Sequence, residues 1–304
     1  MTGRRRSTLR VVALLAGLLV LLVACASAPP RSDTPPPVPP AMVSWPADLP
    51  AADAVRCPPA AVEVDTSDQL HTALRDAAPG TVIGLADGVY DGTFTASTPG
   101  TTDAPIWLCG GTGAVLRGPG PDDGTVLHLT EVRYWRLVGF TVREGQKGVM
   151  ADGTADTVIQ DLTVTEIGDE AVHLRANSTH NVVRGLTVSD TGLRRVKFGE
   201  GIYVGSAVSN WCDITDCEPD RSDRNVVVGN TISRTTAESV VASAITPFWP
   251  FSTPKPWSTQ CATPSRWTTY PSSVSPPSST LAVVPQRVMG SSGSPSAAMT
   301  KFPV

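Results

Sequence analysis

The strongest signal along the chain is a pattern of apolar and small polar positions that returns at a fixed interval. Gly139-Phe140-Thr141-Val142 recurs as Asp161-Leu162-Thr163-Val164, as Gly185-Leu186-Thr187-Val188 and as Gly229-Asn230-Thr231-Ile232. The last interval is about twice the others because a polar, cysteine-bearing insertion occupies residues 206–224. A second series runs in phase: Gly148-Val149-Met150-Ala151, Ala171-Val172-His173-Leu174 and Gly201-Ile202-Tyr203-Val204. Each unit therefore predicts short strands with alternating apolar positions, separated by Gly, Asn and Asp turns. A unit of this size cannot bury its own apolar face, whereas stacked copies share one continuous core. The expected architecture is a solenoid of parallel strands. The Val, Thr and Gly bias and the missing Leu-x-x-Leu-x-Leu frame exclude a leucine-rich repeat, and the period is too short for a propeller.

Upstream of the repeat, Thr66-Ser67-Asp68-Gln69 forms a capping box before Leu70, Ala73, Leu74 and Ala77, which share one helical face. Pro79-Gly80 ends this helix, and Thr81–Tyr90 reads as strand, turn at Asp87-Gly88, and strand. Such a helix is expected to cap the first coil, whose apolar core and sheet edge would otherwise face water. Over residues 60–239 the pattern resembles the pectin-lyase-like superfamily. The resemblance implies an all-β fold, a right-handed parallel β-helix with a short N-terminal capping helix.

The ends of the chain have other characters. Arg4, Arg5 and Arg6 precede an apolar run from Val11 to Val23, the pattern of a signal peptide over residues 1–25. The run is shorter than the roughly 20 apolar residues of a spanning helix. Leu22-Val23-Ala24-Cys25 resembles the bacterial lipobox, which implies acylation at Cys25 and attachment to the outer face of the cytoplasmic membrane. A plain secretory signal, with release of the protein, is the alternative. Residues 26–56, rich in Pro and Ala, read as a spacer, and the β-helix is expected over 57–239. From Val240 to Val304 there is no Asp, Glu or Asn, and Ser and Pro dominate. This segment reads either as a low-complexity tail or, the reading favoured here, as the product of a shifted frame near residue 240.

Composition adds exclusions. A net charge of −4 and the lack of any basic, aromatic-interleaved run beyond residue 10 remove nucleic acid from the expected partners. In an exported chain disulfides persist, and Cys57 with Cys109 and Cys212 with Cys217 are the expected pairs, leaving Cys261. The protein is expected to be a monomer.

Candidate chemistry follows from the stacking. Aligning the second series places Lys147, Glu170, Glu200 and Glu238 in one row just before the strand. Equivalent residues of successive coils stand about 4.8 Å apart. Neighbouring carboxylates at that spacing repel by roughly 3 kcal/mol at an effective dielectric near 20. Bound Ca²⁺, or Arg175, Arg195 and Lys197, would relieve this. Met150, His173 and Tyr203 form an outward row, so His173 and Tyr203 are expected as surface neighbours.

The capping helix, the coil pattern and the glutamate row resemble the alginate lyase and chondroitinase B family. That resemblance implies an acidic polysaccharide as partner, Ca²⁺ on Glu170, Glu200 and Glu238, and chemistry done by a Lys and an Arg; read from the row itself, a Lys, His or Tyr would abstract the proton at C5. The candidates are Lys147, His173 and Tyr203, with Arg175 beside them. No local motif matches the family's Lys and Arg pair, and coils lost after residue 239 would leave the chain inactive. Gly168-Asp169-Glu170 and Gly199-Glu200-Gly201 are also similar to the polygalacturonases, which makes an inverting hydrolase the alternative; a non-catalytic polysaccharide-binding envelope protein is the third reading.

Overall fold

The computed structural model describes residues 47–237, 240–242, 282–283, 287–289 and 295–296. The chain winds through three sheets in turn, and every pairing between coils is parallel; only Pro295–Ser296 pairs antiparallel. Sheet I runs through Val82–Leu85, Ile106–Cys109, Trp135–Val138, Val158–Gln160, Val182–Arg184 and Val226–Val228. Sheet II includes Thr141–Arg143, Thr163–Thr165, Thr187–Ser189 and Thr231–Ser233. Sheet III holds Phe94–Ala96, Thr125–Thr130, Lys147–Asp152, Val172–Arg175, Ile202–Val204 and Val240–Ala242. This is a parallel β-helix.

The two repeats read from the sequence are sheets II and III. Thr141, Thr163, Thr187 and Thr231 stack in register, as do Val149, Val172 and Ile202. The repeated Gly or Asp before each sheet II strand turns the corner from sheet I in the left-handed region, with φ of 91° at Gly139, 55° at Asp161, 65° at Gly185 and 67° at Gly229. The residue that follows points inward: Phe140, Leu162, Leu186 and Asn230 are buried. Asn230 satisfies its own amide there, accepting from Leu186 N (2.9 Å) and donating to the Val183 carbonyl (3.2 Å).

Between sheets III and I the corner is polar yet buried, so its groups must find partners. Asn225 Oδ1 accepts from the backbone and side-chain amides of Asn181 (both 3.0 Å), and Asn225 Nδ2 donates to the Ser178 carbonyl (2.8 Å). The interior is a stack of Leu, Ile and Val with Tyr90, Phe94, Trp135 and Phe140 as its largest members.

Helix α1, Ser67–Arg75, closes the N-terminal end with Leu70, Ala73 and Leu74 buried. Thr66 accepts from Gln69 N (3.3 Å), while the Gln69 side chain accepts from Asp65 N (2.9 Å), completing the box one residue early. Cys57 is bonded to Cys109, and Cys212 to Cys217.

The fold exceeds its expected limits at both ends. Leu49, Ala52 and Val55 lie in the stretch expected to be spacer, yet they pack on the outward row Val158, Val182 and Val226 of sheet I. That valine row needs a cover, and Gln160 holds the covering segment through Val55 N (2.7 Å) and the Val55 carbonyl (3.0 Å). Past Ser239, Ala282–Val283 and Arg287–Met289 pair in parallel with Val226–Val228 and Thr231–Ser233. The remainder of the Ser/Pro-rich segment, the expected leader with Cys25, most of the expected spacer and Cys261 lie outside the described residues.

Two corner glycines separate strain from crowding. A Cβ at Gly139 would meet the Gly110 carbonyl oxygen at 2.3 Å, whereas nothing stands within 4 Å of one at Gly229. Gly229→Ala is expected to cost about 1–2 kcal/mol, the left-handed penalty alone. Gly139→Ala is expected to cost clearly more, read as a larger loss in the urea midpoint; equal losses would refute the crowding account.

Candidate functional site

Sheet III presents its outward face between two insertions of a single coil. Residues 190–201 connect sheet II to Ile202–Val204, and residues 205–225 leave that strand for sheet I. Across this face the register sets Met150 on His128, His173 on Met150 and Tyr203 on His173. The rings of His173 and Tyr203 stack at 4.3 Å between centroids and 12° between planes.

The expectation that His173 stands on the surface is corrected. It points outward but is 5% exposed, and Met150 is 3% exposed, because alternation fixes only direction while the neighbouring rows supply cover. His173 Nε2 lies 2.8 Å from the Gly205 carbonyl. A carbonyl only accepts, so Nε2 carries the hydrogen and Nδ1 the lone pair. Nδ1 is buried with no hydrogen-bond partner and lies 3.8 Å from Glu170 Oε1. Burial lowers the His173 pKa to about 4, against the opposing pull of Glu170. The imidazole is neutral at physiological pH.

On one flank, Lys147 Nζ binds Glu170 Oε2 and lies 3.7 Å from Asp169 Oδ2. The repulsion expected in the glutamate row is thus relieved at Glu170 by Lys147, the preceding member of the same row. Asp169 also accepts from Gln146 (3.1 Å) and from Arg194 Nε (3.2 Å). Glu200 is the next member, and burial, reinforced by Glu170, raises its pKa. Its Oε2 is buried without a hydrogen-bond partner. Glu238 lies outside the described residues.

On the other flank, Arg175 does not join the glutamates. It forms a two-pronged pair with Asp152, at 2.6 and 3.1 Å, and Asp152 also meets His128 Nε2 at 2.9 Å. Although burial opposes ionisation of Asp152, the hydrogen bonds from His128 and Arg175 prevail and hold its pKa below the usual range. His128 and Asp152 are site residues that sequence reasoning missed. The available signal was Leu127-His128-Leu129, which repeats the alternation of Val172-His173-Leu174.

Glu170 is engaged by Lys147, and among the described residues no group of three His, Cys, Asp or Glu side chains is arranged to hold a metal. Of the insertion acids, Asp220 accepts from Ala176 N (3.1 Å) and Asn177 N (2.9 Å), and it pins the loop to the neighbouring coil.

The His173 environment sets a pH dependence. An unfolded histidine titrates near 6.5, so the unfolded chain takes up a proton that the folded chain refuses until about pH 4. The stability contribution is therefore full above about pH 6.5 and is lost as pH falls to about 4. In His173→Phe this component is expected to vanish from the stability profile, and the wild-type His173 imidazole signal is expected to stay in its neutral form at pH 5 by NMR.

No family model matches the chain, and no curated protein matches it in sequence. Among solved structures it is similar to an alginate lyase from Paenibacillus sp. str. FPU-7, with TM-score 0.53 and 35% identity over 56% of this chain and 57% of that one. Pectate lyase Pel9A matches with TM-score 0.45 and 17% identity, covering 56% of this chain and 43% of that one. A mannuronic acid specific polysaccharide family 6 lyase from human gut microbiota matches with TM-score 0.36 and 14% identity, covering 60% and 52%. The chain thus spans a little over half the length of the alginate lyase. Its parallel β-helix is polysaccharide lyase-like in fold.

Proposed function

We propose that the protein binds an acidic polysaccharide across the outward face of sheet III and cleaves it by β-elimination. The observation that carries this reading is the stacked Tyr203–His173 pair set between Lys147 on one flank and Arg175 on the other. In the elimination a base removes the proton at C5 of a uronate, the C4=C5 double bond forms, and the C4–O bond breaks as the leaving oxygen gains a proton. Cations beside the uronate carboxylate make the C5 proton easier to remove, and Lys147 and Arg175, paired with Glu170 and Asp152 in the free protein, are assigned to supply that charge once substrate binds. Tyr203, half-buried and in register between His173 and Val241, is assigned the proton transfer. His173 is a positioning residue: buried, neutral and fixed to the Gly205 carbonyl, it sets the plane on which Tyr203 rests.

The alternative of an inverting hydrolase is less well supported. Glu170 and Glu200 occupy in-register positions on adjacent coils, about 4.8 Å apart in backbone spacing, whereas that mechanism uses carboxyl groups roughly 6.5–9.5 Å apart. Calcium on Glu170, Glu200 and Glu238 belongs to the proposal as an assay arm, and no step above runs through it. Export and lipid attachment at Cys25 complete the reading, placing the enzyme in the cell envelope.

The test is a screen of alginate, pectate, hyaluronan and chondroitin, with calcium and with chelator. A chain whose reading frame is altered after codon 239 is assayed in parallel. An unsaturated product absorbing in the ultraviolet is expected; reducing ends without absorbance would indicate a hydrolase, and neither would indicate a binder. Tyr203→Phe is expected to lower kcat by roughly 10²–10⁴-fold, the usual worth of a positioned proton-transfer group, with the circular dichroism spectrum unchanged. Unaltered activity in that variant would refute the assignment of Tyr203. Chelator-insensitive activity, unchanged in Glu170→Gln and Glu200→Gln, would remove calcium from the mechanism.

A further inference from the structure

The segment Leu193–Phe198 has features that the coil architecture does not require. It is firmly placed: Leu193 N and Arg194 N donate to the carbonyls of Ile167 (3.1 Å) and Gly168 (2.8 Å) on the preceding coil. The Val196 carbonyl accepts from Thr236 Oγ1 (2.8 Å) on the other side. The first arginine is used internally, because Arg194 pairs with Asp169, the carboxylate that also lies beside Lys147. The segment is thereby joined to the Lys147 flank of sheet III through one shared side chain.

The remaining residues point to a ligand. Arg195 lies 5.8 Å and Lys197 Nζ 4.6 Å from the centre of the Phe198 ring. Neither cation has a carboxylate partner among the described residues, in contrast to Lys147, Arg175, Arg194 and Arg234, each of which is paired. Leu193 and Val196 are 54% and 69% exposed on this fixed support. An aromatic ring with two cations beside it, edged by exposed aliphatic groups, matches the chemistry of a uronate. The sugar ring offers an apolar C–H face and an equatorial edge that ends in a carboxylate. An anionic lipid surface shares the charge but lacks the flat ring face, and the fixed, narrow support favours a single polymer residue.

We infer that Arg195, Lys197 and Phe198 form a binding subsite for a uronate residue of an acidic polysaccharide, next to the Lys147 flank and outside the reacting position. This rests on the substrate class of the proposed function and adds to it a recognition site that does no chemistry. The subsite holds one sugar by its carboxylate and its ring face while the neighbouring residue of the same polymer lies over sheet III.

The experiment measures binding of the full chain to alginate and polygalacturonate by isothermal titration calorimetry, with dextran as a neutral polymer and phosphatidylglycerol vesicles as an anionic surface. Arg195→Ala/Lys197→Ala is expected to weaken polyuronate binding at least tenfold, and Phe198→Ala to weaken it several-fold. The charge-matched control Arg75→Ala/Arg234→Ala is expected to stay within about twofold of wild type, and Arg195→Lys/Lys197→Arg to retain most of the affinity. The inference is overturned if the loop variants match the control, if Phe198→Ala binds like wild type, or if vesicle binding is the interaction that is lost. Polyuronate binding that needs the loop, with no unsaturated product from any substrate, would keep this subsite and reject the elimination. Cleavage with an unchanged KM in the loop variants would do the reverse.

Discussion

Stacking of equivalent residues in register, one coil above the next, is the constraint on which the rest of the molecule depends. A single coil has no interior of its own, so its apolar side chains are buried only when neighbours above and below present the same pattern. Val149, Val172 and Ile202 do so in sheet III, and Val142, Val164, Val188 and Ile232 in sheet II. Corners must repeat as faithfully as strands, since a corner of different length would shift the following strand and turn its inward residues out. The left-handed residue at 139, 161, 185 and 229 is the device that keeps this length constant.

The same rule creates an electrostatic problem on the outward faces, because like tends to stand on like. The chain answers by alternating sign from coil to coil. Lys147 precedes Glu170 in one row, and Asp152 lies between His128 and Arg175 on the opposite flank; Asp190 and Arg234 pair likewise below sheet II. The alternation is incomplete: Arg117 stands on Arg143 in sheet II, and beside sheet III Glu200 follows Glu170. Lys147 already serves Glu170, so Glu200 is left with a buried, unpartnered oxygen and a raised pKa. That unbalanced step lies directly beside the His173–Tyr203 stack, where His173 Nδ1 is also without a partner. Arg143 Nε and Arg184 Nε are also buried without a partner elsewhere among the described residues, but Glu200 Oε2 and His173 Nδ1 fall together beside this stack, which is where function is sought.

How much of this was legible depends on what each residue reports. Sheets II and III were readable because a corner residue with a small or turn-forming side chain marks their start in the later coils. Sheet I beyond Val82–Leu85 was not, since its later strands follow polar corners built differently, by Asn181 and Asn225 in one pair of coils and by Thr157 before them. Its Val158, Val182 and Val226 row is apolar on the outside too, covered by Leu49 and Val55, so no alternation announces it. In the site, period-two alternation correctly placed Met150, His173 and Tyr203 on one face. It could not report that His173 is covered, because cover comes from neighbouring rows and from the Gly205 carbonyl across the strand. His128 escaped because Thr125–Thr130 lacks the Gly or Ala that opens the later strands, so the alignment began one coil too late, and Asp152 because it lies one residue past the aligned Gly148–Ala151.

The insertions show where a repeat fold can acquire specificity. Changes within a strand propagate to both neighbours, whereas added residues at a corner leave the register intact and cost little loop entropy. Both 190–201 and 205–225 enter at the coil that contributes Tyr203, one on each side of sheet III. Each is then fastened to the coil before it, the first through Gly168 and Asp169, the second through Asp220 on the amides of Ala176 and Asn177. The fastening is what separates these loops from slack connections. Ordering them has a conformational cost, and both are ordered at the coil that sets Glu200 next to Glu170. Scaffold and site therefore follow different rules in this chain: repetition holds the core together, and the departure from repetition at a single coil gives the surface a polarity and a shape that its neighbours lack.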